Sequence, residues 1–300
     1  MTEQPTPRIT VVVLTYNSEK FIAECLTALQ QSRGVALEVV CIDNASHDRS
    51  HELAAEHPSA PKSVRLEKNL GYSGGNNAGW ILGTAPIVVF INPDCRVMPD
   101  TLANLVKPMV AEDDIAIAGA LLYYPNTRTI QHAGGILHPN GMCEHYGMNK
   151  PDAPEYHVSK DVKYVTGALI AFRRSDLERL HGFDEEYWPA YYEETDLSWR
   201  LRKEGKRVRY VAEAVAYHYE SPGLQKHSAR FVRTSYRSRL RFVVKNYSLL
   251  EFLRDFLPFE VKWFFGPFAK YYRIPALRSY GSGLLFALFC LARFSRRRRT

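Results

Sequence analysis

The amino-acid sequence predicts an α/β fold in which helices cover both faces of a mostly parallel β-sheet. Short runs of apolar, β-branched residues recur through the first hundred positions, as in strands that are buried on both sides. Segments with helical periodicity separate these runs, and polar residues follow the runs directly. This order indicates a doubly wound sheet, whose ligands bind at the carboxyl ends of the strands.

Four strands and their intervening helices are predicted in the N-terminal part of the chain. The first strand is ITVVVLTY, residues 9–16, and a helix with one apolar face follows it and ends near Gly34. An Asn-Pro-Asp turn closes the fourth strand, and Pro99 marks the start of the next helix. The other strands of this part are predicted at residues 37–42, 64–66 and 87–91.

The second part of the chain has a different composition. Residues 119–150 are rich in Gly, Pro, Asn and Tyr, which favours loops and short antiparallel strands. A helix is predicted at about residues 195–204, because Gly205 is a suitable terminator. Strands are predicted at residues 164–172, 208–211 and 215–218. We therefore expect one domain over residues 1–220, with halves of about 1–118 and 119–220, and a helical tail over residues 221–300.

The charge distribution separates this tail from the rest of the chain. The net charge is +7, but residues 221–300 hold 17 Lys and Arg against 3 Asp and Glu, whereas residues 1–220 hold 22 against 29. Such a basic segment favours phosphates, on lipid head groups or on nucleic acid. The N-terminus lacks the apolar core of a signal peptide and the five cysteines are scattered, so a reducing, cytoplasmic setting is expected.

Three groups of polar residues stand at the carboxyl ends of predicted strands. They are Thr15 to Asn17, Asp43 and Asp94. A carboxylate at the rim of the core loses hydration, which favours a binding role over a structural one. The alternative is that Asp43 and Asp94 are ordinary cap or turn residues. The glycine-rich stretch at residues 69–79 also has two interpretations, a phosphate-binding loop or a plain turn.

The densest acidic stretch, DEEYWPAYYEETD, covers residues 184–196 and leads into a predicted helix. Glu193, Glu194 and Asp196 either stabilise the helix dipole or include a general base. Neighbouring aromatic side chains would suit the second interpretation, because they could exclude water and raise the pKa of a carboxyl group, and they could also stack on a sugar ring. These aromatic residues are Trp188, Tyr191 and Tyr192.

His218 follows an apolar strand and stands between two tyrosines. It is either a histidine whose hydrogen bonds are satisfied in the core or a metal ligand. The second role is chemically reasonable, because imidazole binds Mn²⁺ alongside carboxylate and phosphate oxygens. The residues alone leave both possibilities open.

Taken together, the motifs resemble those of the family 2 glycosyltransferases, in particular the bacterial rhamnosyltransferase-like branch with the GT-A fold. The resemblance covers about residues 9–220 and rests on the order and spacing of the motifs. These read VVVLTYNSEKFIAECLTAL, VVCIDNASHDRS, NLGYSGGNNAGW, FINPDC, VTGALIAFRRSDLERLHGFDEEYW, YYEETDLSWRLRKEGKRVRYV and AYHY.

The resemblance implies how a nucleotide-diphosphate sugar donor binds. Thr15, Asn17 and Asp43 would line the nucleoside pocket, with Asp43 hydrogen-bonded to the base, and Asn77 would lie near the ribose or the phosphates. Asp94 would occupy the metal-binding position of the family's Asp-X-Asp-type motif. That motif reads Asn-Pro-Asp in this chain, so the first carboxylate is missing and a weaker metal affinity is expected.

The resemblance also implies the catalytic groups. His218 matches a position that completes the site for Mg²⁺ or Mn²⁺, and Glu194 falls where the family usually has the aspartate that acts as general base. Glu193 and Asp196 are the rival bases. The implied reaction inverts the anomeric centre, with the sugar, rhamnose among the candidates, passing to a glycan or a lipid-linked acceptor in cell-envelope polysaccharide biosynthesis. The acceptor would contact the three aromatic residues named above.

Three other functions compete with this interpretation. A nucleotidyltransferase usually has a glycine-rich loop with basic residues near its N-terminus, whereas TYNSEKF, which follows the first strand here, has no glycine. A nucleic-acid-binding protein would suit the basic tail, but the remainder of the chain is acidic and no known binding module is visible. A nonenzymatic nucleotide-sugar binder is compatible with the Asn-Pro-Asp sequence and with glutamate at position 194.

The tail combines aromatic side chains with interleaved lysines and arginines over residues 247–294. Residues 284–291 (LLFALFCL) form an apolar run that is too short to span a bilayer, for which about 20 residues are needed. Arginines follow this run, so we expect it to lie in the membrane interface. The predicted location is the inner face of the cytoplasmic membrane, without a nucleic-acid partner. The alternative is that the tail packs on the catalytic domain or forms a dimer.

Overall fold

The computed structural model describes residues 6–220 and 228–265, which divide into two compact units. The first unit is α/β and contains residues 6–136, 145–188 and 193–220. The second unit contains the helical residues 228–265 together with two short segments, residues 137–144 and 189–192.

A ten-stranded sheet forms the centre of the first unit, and its main path runs in the order β10-β12-β6-β11-β4-β1-β2-β3. Strand β5 pairs with β12 and β7 pairs with β6, while β8 and β9 form a separate two-stranded sheet. The strands are β1 (Arg8–Thr15), β2 (Ala36–Asp43), β3 (Lys62–Arg65), β4 (Ile87–Ile91), β5 (Cys95–Val97), β6 (Ile115–Tyr123), β7 (Ile130–His132), β8 (Gly135–Leu137), β9 (Cys143–His145), β10 (Lys160–Asp161), β11 (Leu169–Arg173) and β12 (Arg207–His218).

The sheet is parallel at its N-terminal side and mixed beyond it, as predicted. Strands β1 to β4 pair in parallel, because each crossover helix returns the chain to the same end of the sheet. Strand β11 is antiparallel to both of its neighbours, β4 and β6. Strand β12 then runs parallel to β6. The carboxyl ends of β1, β2, β4 and β12 are the ends that carry the predicted polar residues.

Nine α-helices are described, and the first six belong to the α/β unit. They are α1 (Ile22–Gln30), α2 (Ser50–Ala55), α3 (Gly71–Trp80), α4 (Thr101–Ala111), α5 (Arg174–Leu180), α6 (Glu193–Lys203), α7 (Ala229–Asn246), α8 (Leu249–Glu251) and α9 (Leu257–Phe265), with a π-helical turn (Phe252–Phe256) between α8 and α9. No helix in residues 6–220 and 228–265 is both long and apolar enough to cross a membrane.

The glycine-rich stretch is helix α3 rather than a loop. Gly75 and Gly79 lie one helical turn apart, and a Cβ atom at either position would collide with Leu14 or Val12 of β1. These two glycines therefore allow close packing of α3 on the sheet. Neither interpretation offered above for this stretch, a phosphate-binding loop or a plain turn, describes their role.

Two strand boundaries also differ from the expectation. The strand predicted at residues 164–172 begins only at Leu169, and Tyr164 instead forms an isolated bridge with Gly135. The two strands predicted near the end of the unit are one strand, β12, interrupted by a register shift between Val211 and Val215. Such a bulge turns the strand locally without ending it.

Candidate active site

The ends of β1 and β2 form a buried polar pair. Thr15 and Asp43 are directly opposite each other in the parallel register, and the Thr15 hydroxyl donates to Asp43 Oδ1 over 3.1 Å. The Ser46 N–H donates to Asp43 Oδ2 over 3.1 Å, and Arg65 Nε lies 3.5 Å from the same oxygen. Asp43 is only 1% exposed, so these contacts hold its carboxylate in one orientation.

Asn17 joins the same network from the loop after β1. It adopts a positive φ of 52°, a conformation that asparagine tolerates better than most residues. Its backbone N–H donates to Ser46 Oγ over 3.0 Å, and its Oδ1 accepts from the His47 N–H over 2.8 Å. The structure thus brings together the three residues that were predicted to line a nucleoside pocket.

Asp94 and His218 meet at the adjoining strand ends. Asp94 lies in the turn between β4 and β5, and β5 pairs with β12 so that His218 stands opposite Cys95. Asp94 Oδ1 is 3.2 Å from His218 Nε2, and Asp94 is 5% exposed. Asn92, at the start of the same turn, places its Nδ2 3.3 Å from His218 Nε2.

Gln131 on β7 determines which imidazole nitrogen of His218 carries the proton. The Gln131 Nε2 donates to the His218 carbonyl over 3.0 Å, so the Gln131 oxygen must face His218 Nδ1, at 2.7 Å. An amide oxygen only accepts, and therefore Nδ1 is the protonated nitrogen. In the neutral ring, Nε2 then carries a lone pair that accepts from Asn92 Nδ2 over 3.3 Å, while Asp94 Oδ1 lies 3.2 Å from the same nitrogen.

This arrangement suits a divalent cation. Asp94 Oδ1 and His218 Nε2, 3.2 Å apart, are two atoms of the kinds that bind divalent cations. Neighbouring ligands of an octahedral cation bound at about 2.1 Å lie about 3 Å apart, which is close to this spacing. The Gln131 contact supplies the ring orientation that metal-binding histidines need. No cluster of three or more His, Cys, Asp and Glu suited to a metal occurs in residues 6–220 and 228–265.

The acidic residues at the start of α6 differ sharply in environment. Glu194 is half-buried, and burial raises the pKa of its carboxyl group to about 7, although the N–H groups of Glu194 and Thr195 act in the opposite direction. Asp196 is fully buried, and its two oxygens accept from the Tyr187 hydroxyl at 3.1 Å and from Arg200 Nε at 2.9 Å. Both oxygens of Asp196 are thus engaged within the protein, whereas the raised pKa of Glu194 lies in the range useful for proton transfer.

Helix α3 lies near Glu193 and Glu194. The Tyr72 hydroxyl donates to the Gly167 carbonyl over 2.7 Å, and the pKa of Tyr72 is raised well above its usual value by burial first and then by the charges of Glu194 and Glu193. Asn77, in contrast, has both ends of its amide bonded within the protein. Its Oδ1 accepts from the Phe183 N–H over 2.9 Å, and its Nδ2 donates to the Phe183 carbonyl over 2.9 Å and to Glu185 Oε1 over 3.1 Å.

The three aromatic residues predicted for the acceptor are divided between the two units. Trp188 belongs to the first unit and is 51% exposed. Tyr191 and Tyr192 belong to the second unit, where Tyr191 contacts the ring of Phe231 and the Tyr192 hydroxyl donates to the Gly141 carbonyl over 2.8 Å. An acceptor-binding role for these residues stays a prediction.

Sequence reasoning missed Gln131 and the part that Asn92 plays. Gln131 stands in the three-residue strand Ile130–His132, 87 positions before its partner, and no motif marks it. Asn92 was noted only as the place where a carboxylate is missing. The one available signal was the Asn-Pro-Asp turn itself, because a polar residue at the end of a buried strand needs a partner.

Comparison with known proteins identifies the family of the chain. The sequence model of Glycosyl transferase family 2 matches residues 10–181, more than half of the chain. O-antigen biosynthesis protein RfbC of Myxococcus xanthus is 24% identical over 225 residues, covering 72% of this chain and 18% of RfbC. The N-acetylglucosaminyl-diphospho-decaprenol L-rhamnosyltransferase of Mycobacterium tuberculosis is 24% identical over 264 residues, covering 79% of this chain and 84% of that enzyme.

Solved structures show the same architecture. A mannosyltransferase from Pyrobaculum calidifontis, in complex with GDP-Man and Mn²⁺, superposes with a TM-score of 0.59 at 20% identity, covering 98% of this chain and 81% of that one. In the sequence comparison, this chain covers only 18%, 62% and 36% of the length of three curated relatives. Rhamnosyltransferases are among the relatives, which confirms the resemblance found in the sequence. The chain therefore belongs to glycosyltransferase family 2 and has the GT-A fold.

Proposed function

We propose that this enzyme transfers a sugar, with inversion, from a nucleotide-diphosphate donor to an acceptor hydroxyl, and that the transfer depends on a divalent cation. The observation that carries the proposal is the Asp94–His218 pair, 3.2 Å apart and oriented by Gln131, at the strand ends where such folds bind their ligands. The mannosyltransferase named above, whose complex contains GDP-Man and Mn²⁺, has the same fold.

Asp94 and His218 would hold Mg²⁺ or Mn²⁺ together with oxygens of the donor diphosphate. When bound, the cation neutralises the negative charge that develops on the leaving nucleoside diphosphate. Thr15, Asn17 and Asp43 would hold the nucleoside, with the fixed Asp43 carboxylate accepting from an N–H group of the base. Asn77 stays a candidate for a position near the ribose or the phosphates. Its side chain accepts from the Phe183 N–H and so holds the backbone of that segment in place.

Glu194 would act as the general base. A carboxylate with a pKa of about 7 is substantially ionised at neutral pH and still takes a proton effectively. It would remove the proton from the acceptor hydroxyl as the acceptor oxygen bonds to the anomeric carbon. The bond from that carbon to the diphosphate oxygen breaks at the same time, and attack from the opposite face inverts the centre.

For the acceptor we propose a glycan or a lipid-linked glycan in cell-envelope polysaccharide biosynthesis, with rhamnose as the leading candidate for the sugar. The support is the mycobacterial relative, an L-rhamnosyltransferase that acts on N-acetylglucosaminyl-diphospho-decaprenol and 84% of which is covered by the match. Trp188 and Tyr191 are the proposed acceptor contacts, since aromatic faces stack on sugar rings. Tyr192, which was predicted with them, is only 7% exposed and presents no free ring face to an acceptor.

We also propose that residues 1–220 form the catalytic domain and that residues 221–300 bind the inner face of the cytoplasmic membrane. The support is a row of exposed apolar side chains on α8, the π-helical turn and α9, interleaved with the exposed Arg254 and Lys262. These side chains are Leu249, Leu250, Leu253, Leu257, Phe259, Val261 and Phe265. The predicted interfacial run, residues 284–291, and its arginines lie outside the described residues.

The direct test is a screen of nucleotide sugars, including rhamnose, mannose and N-acetylglucosamine donors, for turnover by the purified full-length protein. We expect turnover of one donor that EDTA abolishes and added Mn²⁺ or Mg²⁺ restores. Full activity in EDTA would refute metal dependence. Binding of a nucleotide sugar without any turnover, with membranes supplied as acceptor, would favour a nonenzymatic binder.

A further inference from the structure

The segment that leads into α6 has an unusual backbone. Tyr191 and Tyr192 have φ angles of +83° and +77°, in a region that favours glycine. Two consecutive bulky residues in this conformation cost free energy, and they persist only where their surroundings hold them. The next residue along the chain is Glu193, the first of α6, followed by Glu194.

Helix α7 holds the first half of this segment. Ser238 Oγ donates to the Ala190 carbonyl over 3.3 Å. The ring of Phe231 contacts the ring of Tyr191 edge-on, with centroids 5.2 Å apart. The backbone at residue 190 and the side chain at residue 191 are therefore fixed from the same helix.

Tyr192 is held from two directions. Its ring packs against Phe242 of α7 at 5.7 Å, and its hydroxyl donates to the Gly141 carbonyl over 2.8 Å. Gly141 itself has a φ of +75°, and a Cβ atom there would approach Val243 to 2.7 Å, so the loop at residues 137–144 sits directly on α7. Tyr192 is 7% exposed, which makes these contacts hard to exchange for water.

A buried ion pair fixes α7 in turn. Arg239 is 1% exposed and donates to both carboxylate oxygens of Glu260 on α9, over 2.7 and 2.6 Å. Asn140, next to Gly141, donates to the same Glu260 carboxylate over 3.0 Å. Bidentate pairs of this kind are geometrically specific, so α7, α9 and the loop form one framework around residues 189–192.

We propose that Tyr192 and Ser238 are positioning residues for the transfer reaction: the C-terminal helices hold the strained turn whose chain continues directly into the general base. This inference rests on the proposed role of Glu194. It gives residues 228–265 a part in catalysis that is independent of any membrane contact.

The experiment compares the full-length variants Tyr192→Phe, Ser238→Ala and Tyr210→Phe in donor turnover with saturating acceptor. Tyr210 is the matched control, because its buried hydroxyl also donates to a backbone carbonyl, that of Tyr156, over 2.6 Å. We expect Tyr192→Phe to lower kcat about tenfold with the donor KM within about twofold of wild type, the usual sign that transition-state rather than ground-state contacts are lost. We expect Ser238→Ala to lower kcat about threefold.

A second readout separates positioning from general destabilisation. If the turn relaxes, Glu194 becomes more hydrated and its pKa falls toward the ordinary value, so the acid limb of the kcat profile moves to lower pH. We expect this shift in Tyr192→Phe and none in Tyr210→Phe. Wild-type kcat and pH profile in Tyr192→Phe, or an equal loss in Tyr210→Phe, would overturn the inference. Glu194→Gln is measured in the same assay to separate the general-base role of Glu194 from the positioning role of Tyr192 and Ser238. If Glu194→Gln retains activity, the general-base role is wrong.

Discussion

Replacing Glu194 by glutamine tests the proposed base most directly. The burial that raises the pKa of this carboxyl to about 7 also predicts the pH dependence of the wild-type enzyme. Only the ionised form accepts a proton, so kcat should rise with pH and level off above about 7. At pH 6 about a tenth of the molecules are ionised, and kcat should be about a tenth of its plateau. In Glu194→Gln we expect kcat to fall by about 10²-fold or more at every pH, the usual contribution of a general base.

The same substitution should change stability in the opposite direction to activity. Because the folded-state pKa lies above the value of 4.5 in the unfolded chain, the fold loses stability as pH rises from about 4.5 through 7. A shift of this size corresponds to about 3 kcal/mol, and the water around a half-buried group reduces it to about 1–2 kcal/mol. Glutamine does not titrate. The variant should therefore be more stable than wild type at pH 8.5, with a smaller difference at pH 5.5.

The assay is initial-rate donor turnover between pH 5.5 and 9, with denaturant unfolding of the same proteins at both ends of that range. Glu193→Gln is the matched control, because it removes the neighbouring carboxylate of the same helical turn. If Glu194→Gln stays within about threefold of wild type, or if Glu193→Gln is the more damaging change in kcat, the assignment of the base is wrong. A wild-type profile that is flat down to pH 5.5 would refute the reasoning about its pKa.

Three further predictions concern the metal and the membrane. Asp94→Asn should weaken Mn²⁺ binding, measured by calorimetry in the presence of nucleoside diphosphate, by at least about tenfold; unchanged binding would place the cation elsewhere. Gln131→Leu should lower Mn²⁺ affinity by about 10–100-fold while leaving the ligands in place, because the imidazole is no longer oriented; wild-type affinity would deny Gln131 that role. In flotation with anionic vesicles, the double variant Leu249→Ser, Leu250→Ser should bind at least about fivefold more weakly than wild type. The control Ile81→Ser, which removes a similarly exposed side chain from the first unit, should bind as wild type does. Equal binding by wild type, the double variant and the control would exclude α8 from the membrane contact.

The elements that could be predicted are those whose signal is local. Residues 87–91 (IVVFI) form a strand within the bounds expected, because five apolar, mostly β-branched residues between turn signals fit little else. The apolar face of α1 is buried as its periodicity requires, with Ile22, Cys25, Leu26 and Leu29 in the core. The polar residues after β1, β2 and β4 were found for the same reason, since the end of a buried strand is visible in the sequence.

The elements that were missed depend on contacts between distant residues. Strand β6 (Ile115–Tyr123) is buried throughout, but its alanines and glycine, together with the polar residues that follow, indicated loops instead. The boundary expected at residue 220 stays a prediction, and no local pattern indicated that residues 137–144 and 189–192 group with the C-terminal helices. That grouping depends on pairs such as Tyr192 with Gly141, 51 positions apart, which no local pattern specifies.

The Asn-Pro-Asp turn limits how strongly the free enzyme would hold a cation. Asn92 supplies an amide where a second carboxylate would add negative charge, and its Nδ2 lies 3.3 Å from His218 Nε2. One carboxylate and one neutral imidazole carry a single negative charge, which does not balance a divalent cation. In the proposed reaction the remaining negative charge comes from the diphosphate of the donor. Cation and donor affinities are then coupled, and by thermodynamic linkage each raises the other by the same factor. A two-residue protein site is sufficient under this coupling, because the cation binds tightly only when the leaving group that needs it is present.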